Sequence, residues 1–260
     1  MPEIPWRRLG QPVRRQPVTV TALFALVALS WWYLVILAGD MDGMTLAMTF
    51  QPWSAQDFLL MFLMWAIMMV GMMIPSALPM ILLYQQVARH NRLPQATAGT
   101  ALFVLGYLWV WSLFSLLAAL LQWQLERLAL LTPMMASNSV VFSAITLIVI
   151  GLYQWSPWKE TCLQWCRGPM LFITRYWQPG PGGAFRMGLR HGAFCTGCCW
   201  MLMALLFIGG IMDLAVIAAV AILVLLEKLL PGGQHLARAL GVLAIGAGVV
   251  LLLLHGSRLG

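Results

Sequence analysis

Apolar runs long enough to cross a bilayer recur along this chain, at residues 18–38, 58–84, 98–121, 139–153, 192–210, 213–230 and 236–254. A hydrocarbon core of about 30 Å takes around 20 helical residues. With 62% of residues apolar and only 9% charged, the chain lies outside the soluble range. The expected fold is all-α, a polytopic transmembrane helix bundle of about seven spans with a cytoplasmic amino terminus. Residues 1–17 read as a cytosolic arm, and residues 18–260 as a single transmembrane domain with a cytosolic loop at 154–191. The first run is too long for a signal-peptide core and lacks a convincing cleavage site, so it is expected to be retained. After Gly209-Gly210, Asp213 is the expected N-cap of a sixth helix, which Pro231-Gly232-Gly233 ends.

The basic residues give an independent check on this map. Seven spans place all fifteen Lys and Arg residues on the cytoplasmic side except Arg127 and Arg258, as expected of a protein of the bacterial inner membrane. The net charge of +7 is thereby explained by topology. No basic helix or aromatic-interleaved basic patch in a soluble domain points to nucleic acid. The expected partners are the lipid bilayer and a metal ion.

The ion is suggested by cysteine. Three of the five cysteines fall within nine residues of one histidine, in His191-Gly192-Ala193-Phe194-Cys195-Thr196-Gly197-Cys198-Cys199. On a helix His191, Cys195 and Cys199 follow at four-residue steps with Cys198 beside them, all within an arc of about 100°. A lone cysteine in a membrane helix reads as a small buried hydrophobe. A cluster beside an imidazole reads as a soft-metal site, for copper(I) or zinc. Cys162 and Cys166 repeat the four-residue spacing in the loop, where Lys159 and Arg167 favour the thiolate. The cytoplasm keeps thiols reduced, which favours ligation or redox cycling over structural disulfides.

Methionine is the second soft donor. Met64, Met68 and Met72 form one stripe of the second span, Met69 and Met73 a neighbouring one, and Met80 follows one turn past Pro75. Methionine also serves as an adaptable filler of membrane cores. Met41, Met44 and Met48, in the preceding outside loop, are not explained by a core. Thioethers favour Cu(I) over zinc. Taken by depth, these residues form a ladder of weak thioether sites leading inward to thiolates, which suits passage of a soft cation because each site must also release it. Pro75 and Pro79 are expected to interrupt the second span.

Three blocks carry a resemblance: Met64 to Pro75, Tyr153 to Pro169, and Gly197 to Met203. They resemble a widespread bacterial family of predicted metal-binding integral membrane proteins that is functionally uncharacterised. The resemblance implies that Cys162, Cys166, Cys198 and Cys199 occupy the family's cysteine positions and Met64 to Met73 its methionine motif. Cys195 and His191 enter from spacing alone.

No serine-histidine-acid set, nucleotide loop or histidine-rich di-metal motif favours catalysis. The leading expectation is a soft-metal protein that moves copper(I) across the membrane or delivers it to a cuproenzyme, with a metallochaperone as a further partner. The competing readings are a membrane dithiol redox relay, a metal-dependent membrane enzyme and a structural assembly subunit.

Overall fold

The computed structural model describes residues 16–44, 53–91, 96–131 and 136–257; side chains at 40–44 and 256 are outside the description. Among the described residues there are ten helices and no strand: α1 Pro17–Met44, α2 Ala55–His90, α3 Ala96–Arg127, α4 Val140–Gln154, α5 Pro157–Arg167, α6 Pro169–Tyr176, α7 Pro181–Met203, α8 Leu205–Gly209, α9 Leu214–Leu229 and α10 Gly233–Gly256. The protein is all-α, as its composition requires.

Five helical segments are long and apolar enough to cross a membrane, and a sixth crossing results if α4 and α5, bent by 62°, are one broken span. The count of seven is not reached by this measure, because α4 has 15 residues and α9 has 16. Large apolar side chains such as Phe24, Trp32, Leu117 and Leu253 are exposed, as a surface facing lipid requires. α2 and α7 are more enclosed than α1 and α10.

Local chemistry sets the helix ends. Ser54 and Asp57 form a capping box at the start of α2: Asp57 N donates to Ser54 Oγ at 3.2 Å and Ser54 N to Asp57 Oδ2 at 2.8 Å. Asp213 caps α9 by accepting from Ala215 N and Val216 N at 2.8 and 3.0 Å. Pro75 and Pro79, expected to interrupt the second span, lie inside a continuous α2. Packing by neighbouring helices and side-chain hydroxyls lets a membrane helix tolerate proline. Beside the prolines, Ser76 Oγ and Tyr107 OH both donate to Met73 O, at 2.9 and 3.1 Å, a contact that ties α3 to α2 without replacing the bonds the prolines remove.

Close approach of α3 and α7 builds the centre. A Cβ at Gly106 would meet the Phe185 carbonyl, and one at Gly188 the Phe103 carbonyl, so the two backbones touch where side chains are missing. This docking explains why α7 begins at Pro181 rather than at residue 192. Its first turns, though they carry Arg186 and Arg190, are held against α3 before the apolar run begins. The expected loop at 154–191 is correspondingly ordered as α5, α6 and the start of α7.

One set of polar groups pairs across α2, α3 and the segment before α2. Trp65 Nε1 donates to Gln122 Oε1 at 2.8 Å, Gln122 Nε2 to Glu126 Oε1 at 2.9 Å, and Trp53 Nε1 to Glu126 Oε2 at 2.7 Å. Such satisfaction is what low-dielectric surroundings demand.

Candidate metal centre

The site is built where α7, α2, α3, α5 and α9 meet. On α7 the four-residue spacing turns His191, Cys195 and Cys199 to one buried side, with Cys198 next to them; all three cysteines are 1% exposed. A side chain at position 197 would collide with the neighbouring short helix: an ideal Cβ there lies 2.8 Å from Cys162 Sγ. Gly197 therefore lets α5 seat against α7.

Sulfur meets sulfur at two points. Cys198 Sγ lies 3.8 Å from Cys166 Sγ on α5, and Cys199 Sγ lies 3.9 Å from Met73 Sδ on α2. Cys198 and Cys199 both direct their thiols to the Cys195 carbonyl, at 3.1 and 2.8 Å. Cys195 Sγ has two polar neighbours, Tyr107 OH at 3.0 Å and Lys228 Nζ at 2.9 Å. Lys228 Nζ also donates to Ser76 Oγ at 3.1 Å. All five cysteines are unbridged thiols.

The expected residues divide accordingly. Cys166, Cys195, Cys198 and Cys199 converge, and Cys162 stands at the edge, against Gly197. His191 is buried in an aromatic surround of Phe103, Tyr107 and Phe172, with ring centroids at 6.0, 5.7 and 5.3 Å, and its Nδ1 has no hydrogen-bond partner among the described residues. Met64, Met68, Met72 and Met80 are all buried in the core. Met73, on the neighbouring stripe, touches the Cys199 thiol. Met48 lies outside the described residues; Met41 and Met44 belong to α1, but their side chains lie outside the description.

Sequence reasoning placed Met73 on the neighbouring stripe without making it a ligand, and missed Tyr107, Ser76 and Lys228 as parts of the site. Ser76 and Met73 flank the proline of the methionine motif, which was a usable signal; Tyr107 and Lys228 are far away in sequence and carried none. The charge count along the sequence places Lys159 and Lys228 among the cytoplasmic charges. Both are buried: Lys159 Nζ pairs with Glu227 Oε2 at 2.7 Å, each side chain being 2% exposed, and Gln154 Nε2 donates to Glu227 Oε1 at 3.0 Å. This ion pair fastens α5, which carries Cys166, to α9, which carries Lys228. Aromatic packing adds a second fastening, Trp165 of α5 stacking on Phe194 of α7 with centroids 5.6 Å apart.

Chemically, the centre offers thiols and a thioether in pairs. Among the described residues, no group of three or more His, Cys, Asp and Glu side chains is arranged to hold a metal ion. Two sulfurs 3.8 Å apart can both bind one ion through bonds of about 2.3 Å, the length usual for zinc and sulfur.

No curated protein and no solved structure matches the chain. A family model described as "PpoB2: Copper chaperone" matches residues 62–251, a stretch that holds the α2 methionine motif, all five cysteines, Lys159, Glu227 and Lys228. Sulfur chemistry and family match agree, and the chain belongs to the PpoB2 family of copper chaperones.

Proposed function

We propose that this chain handles Cu(I) in the bacterial inner membrane, receiving the ion along the methionine stripe of α2, holding it among the sulfurs of Cys166, Cys198, Cys199 and Met73, and delivering it to a cuproenzyme. The observation that carries this reading is the contact of Cys199 Sγ with Met73 Sδ at 3.9 Å, which joins the methionine motif to the cysteine cluster. A core filler needs no sulfur at that contact; a path for a soft ion does. Paired sulfurs with a thioether favour Cu(I) over zinc.

The test is transfer. Full-length protein in lipid nanodiscs is loaded with Cu(I) under anaerobic, reducing conditions and mixed with an apo-cuproenzyme whose recovered activity is followed. The loaded protein is expected to activate the acceptor, and Met73→Leu, which keeps the volume and removes the sulfur, to slow Cu(I) loading about tenfold or more. Wild-type protein that takes up no Cu(I), or Met73→Leu protein that loads at the wild-type rate, would contradict the reading. Accumulation of copper inside sealed proteoliposomes, with no transfer to the acceptor, would favour transport across the bilayer instead. A reversible two-electron thiol couple in protein that binds no metal would favour the dithiol relay.

A further inference from the structure

A groove of about 500 Å³ opens where the start of α1, the last two turns of α2 and the start of α6 meet. Its size is that of a small-ligand site, about 300–1,000 Å³. Leu83 and Val87, one turn apart on α2, form an apolar wall with Met170 of α6, and Arg89 and His90 in the last turn of α2 line the same space. No acidic side chain among the described residues lines it. From Leu83 to His90 the helix rises about 10 Å, at 1.5 Å per residue, so the apolar and basic parts of the groove adjoin end to end.

Gln16 adds a third element. It is 3% exposed, and its Nε2 donates to Leu82 O at 3.2 Å. A carbonyl accepts only from the NH₂ end of an amide. Gln16 Oε1 is therefore left as a buried acceptor, with no partner among the described residues. Such a group is costly to leave unmet, and an occupant that brings a donor would satisfy it. The ends of α1 and α2 that meet here are those that the basic residues assign to the cytoplasmic side.

We infer that this groove holds one anionic phospholipid of the inner leaflet whose headgroup carries a hydroxyl, the chemistry of phosphatidylglycerol. Its phosphate lies toward Arg89 and His90, its headgroup hydroxyl donates to Gln16 Oε1, and its acyl chains leave along Leu83, Val87 and Met170. Helical side chains lean toward the helix N-terminus, which aims Arg89 and His90 back from the end of α2 toward the bilayer. A choline headgroup brings neither a net negative charge nor a hydrogen-bond donor. Neither copper nor any thiol enters this inference, which stands apart from the reading above.

The full-length protein is delipidated in detergent and offered equal amounts of phosphatidylglycerol, phosphatidylmethanol and phosphatidylcholine with the same acyl chains. Native mass spectrometry counts the lipid retained. Phosphatidylmethanol keeps the charge and lacks the hydroxyl. Wild-type protein is expected to retain one phosphatidylglycerol, preferred over phosphatidylcholine and, by about threefold or more, over phosphatidylmethanol, as one hydrogen bond allows. Val87→Trp, which fills the groove, should abolish retention. Arg89→Gln should reduce the preference over phosphatidylcholine about fivefold, the scale of one basic residue at an anionic membrane surface. Gln16→Met should erase the difference between phosphatidylglycerol and phosphatidylmethanol. Thermal melting establishes that each variant is folded.

Wild-type protein that retains no lipid, as it would if another part of the chain lay in the groove, overturns the inference, and so does equal retention of the three lipids. A folded Val87→Trp protein that keeps its phosphatidylglycerol puts the lipid elsewhere and overturns it too. Gln16→Met protein that still favours phosphatidylglycerol over phosphatidylmethanol would overturn the pairing of the hydroxyl with Gln16.

Discussion

Glu227→Ala is expected to lower stability by about 3–5 kcal/mol, because it leaves the ammonium of Lys159 buried without its partner. The pair is 2.7 Å apart and both side chains are 2% exposed, so water cannot replace the missing carboxylate unless α5 moves. Movement of α5 would withdraw Cys166 from Cys198, and Cys166 should become reactive toward a maleimide reagent as stability falls. Replacing both partners, in Lys159→Met with Glu227→Leu, is expected to recover most of the loss, since apolar substitutes of similar size remove the unpaired charge. Thermal melting in detergent, read beside thiol labelling, checks both effects. A single Glu227→Ala variant as stable as wild type would mean that the pair is not enclosed as described.

Cys198→Ser is expected to weaken Cu(I) binding by at least about 100-fold. Losing even an outer partner of a metal ligand costs about 10–100-fold, and Cys198 is placed as a ligand itself, 3.8 Å from Cys166 Sγ. Cys166→Ser should have a comparable effect. Cys162→Ser should have a much smaller one, because Cys162 sits against Gly197 at the edge of the cluster. Competition with a chromophoric Cu(I) chelator under anaerobic conditions gives the three affinities. Equal losses from Cys162→Ser and Cys198→Ser would show that the sulfurs are not used as the geometry arranges them.

Much of the helical framework was legible because it rests on local chemistry. Apolar runs announced most of the helices, Asp213 announced the start of α9, and the four-residue spacing of His191, Cys195 and Cys199 announced a shared helix face. What could not be read depends on partners distant in sequence. Lys159 and Lys228 looked like cytoplasmic charges because a charge count has no knowledge of Glu227 folded against one or Cys195 against the other. The two methionine stripes lie about 100° apart around α2, and helix packing, which the sequence does not show, turns Met73 toward Cys199. The loop at 154–191 looked solvated because α5 has polar residues and two bounding prolines. Trp165 and the Lys159–Glu227 pair nonetheless seat it on the bundle.

The convergence of sulfur from α2, α5 and α7 upon one soft ion is tested most directly by copper X-ray absorption on the Cu(I)-loaded full-length protein. The expected spectrum shows a first shell of sulfur, which loses intensity in Cys198→Ser and in Met73→Leu. A shell of nitrogen and oxygen, or a sulfur shell unaltered when Cys166 and Cys198 are both replaced, would contradict it.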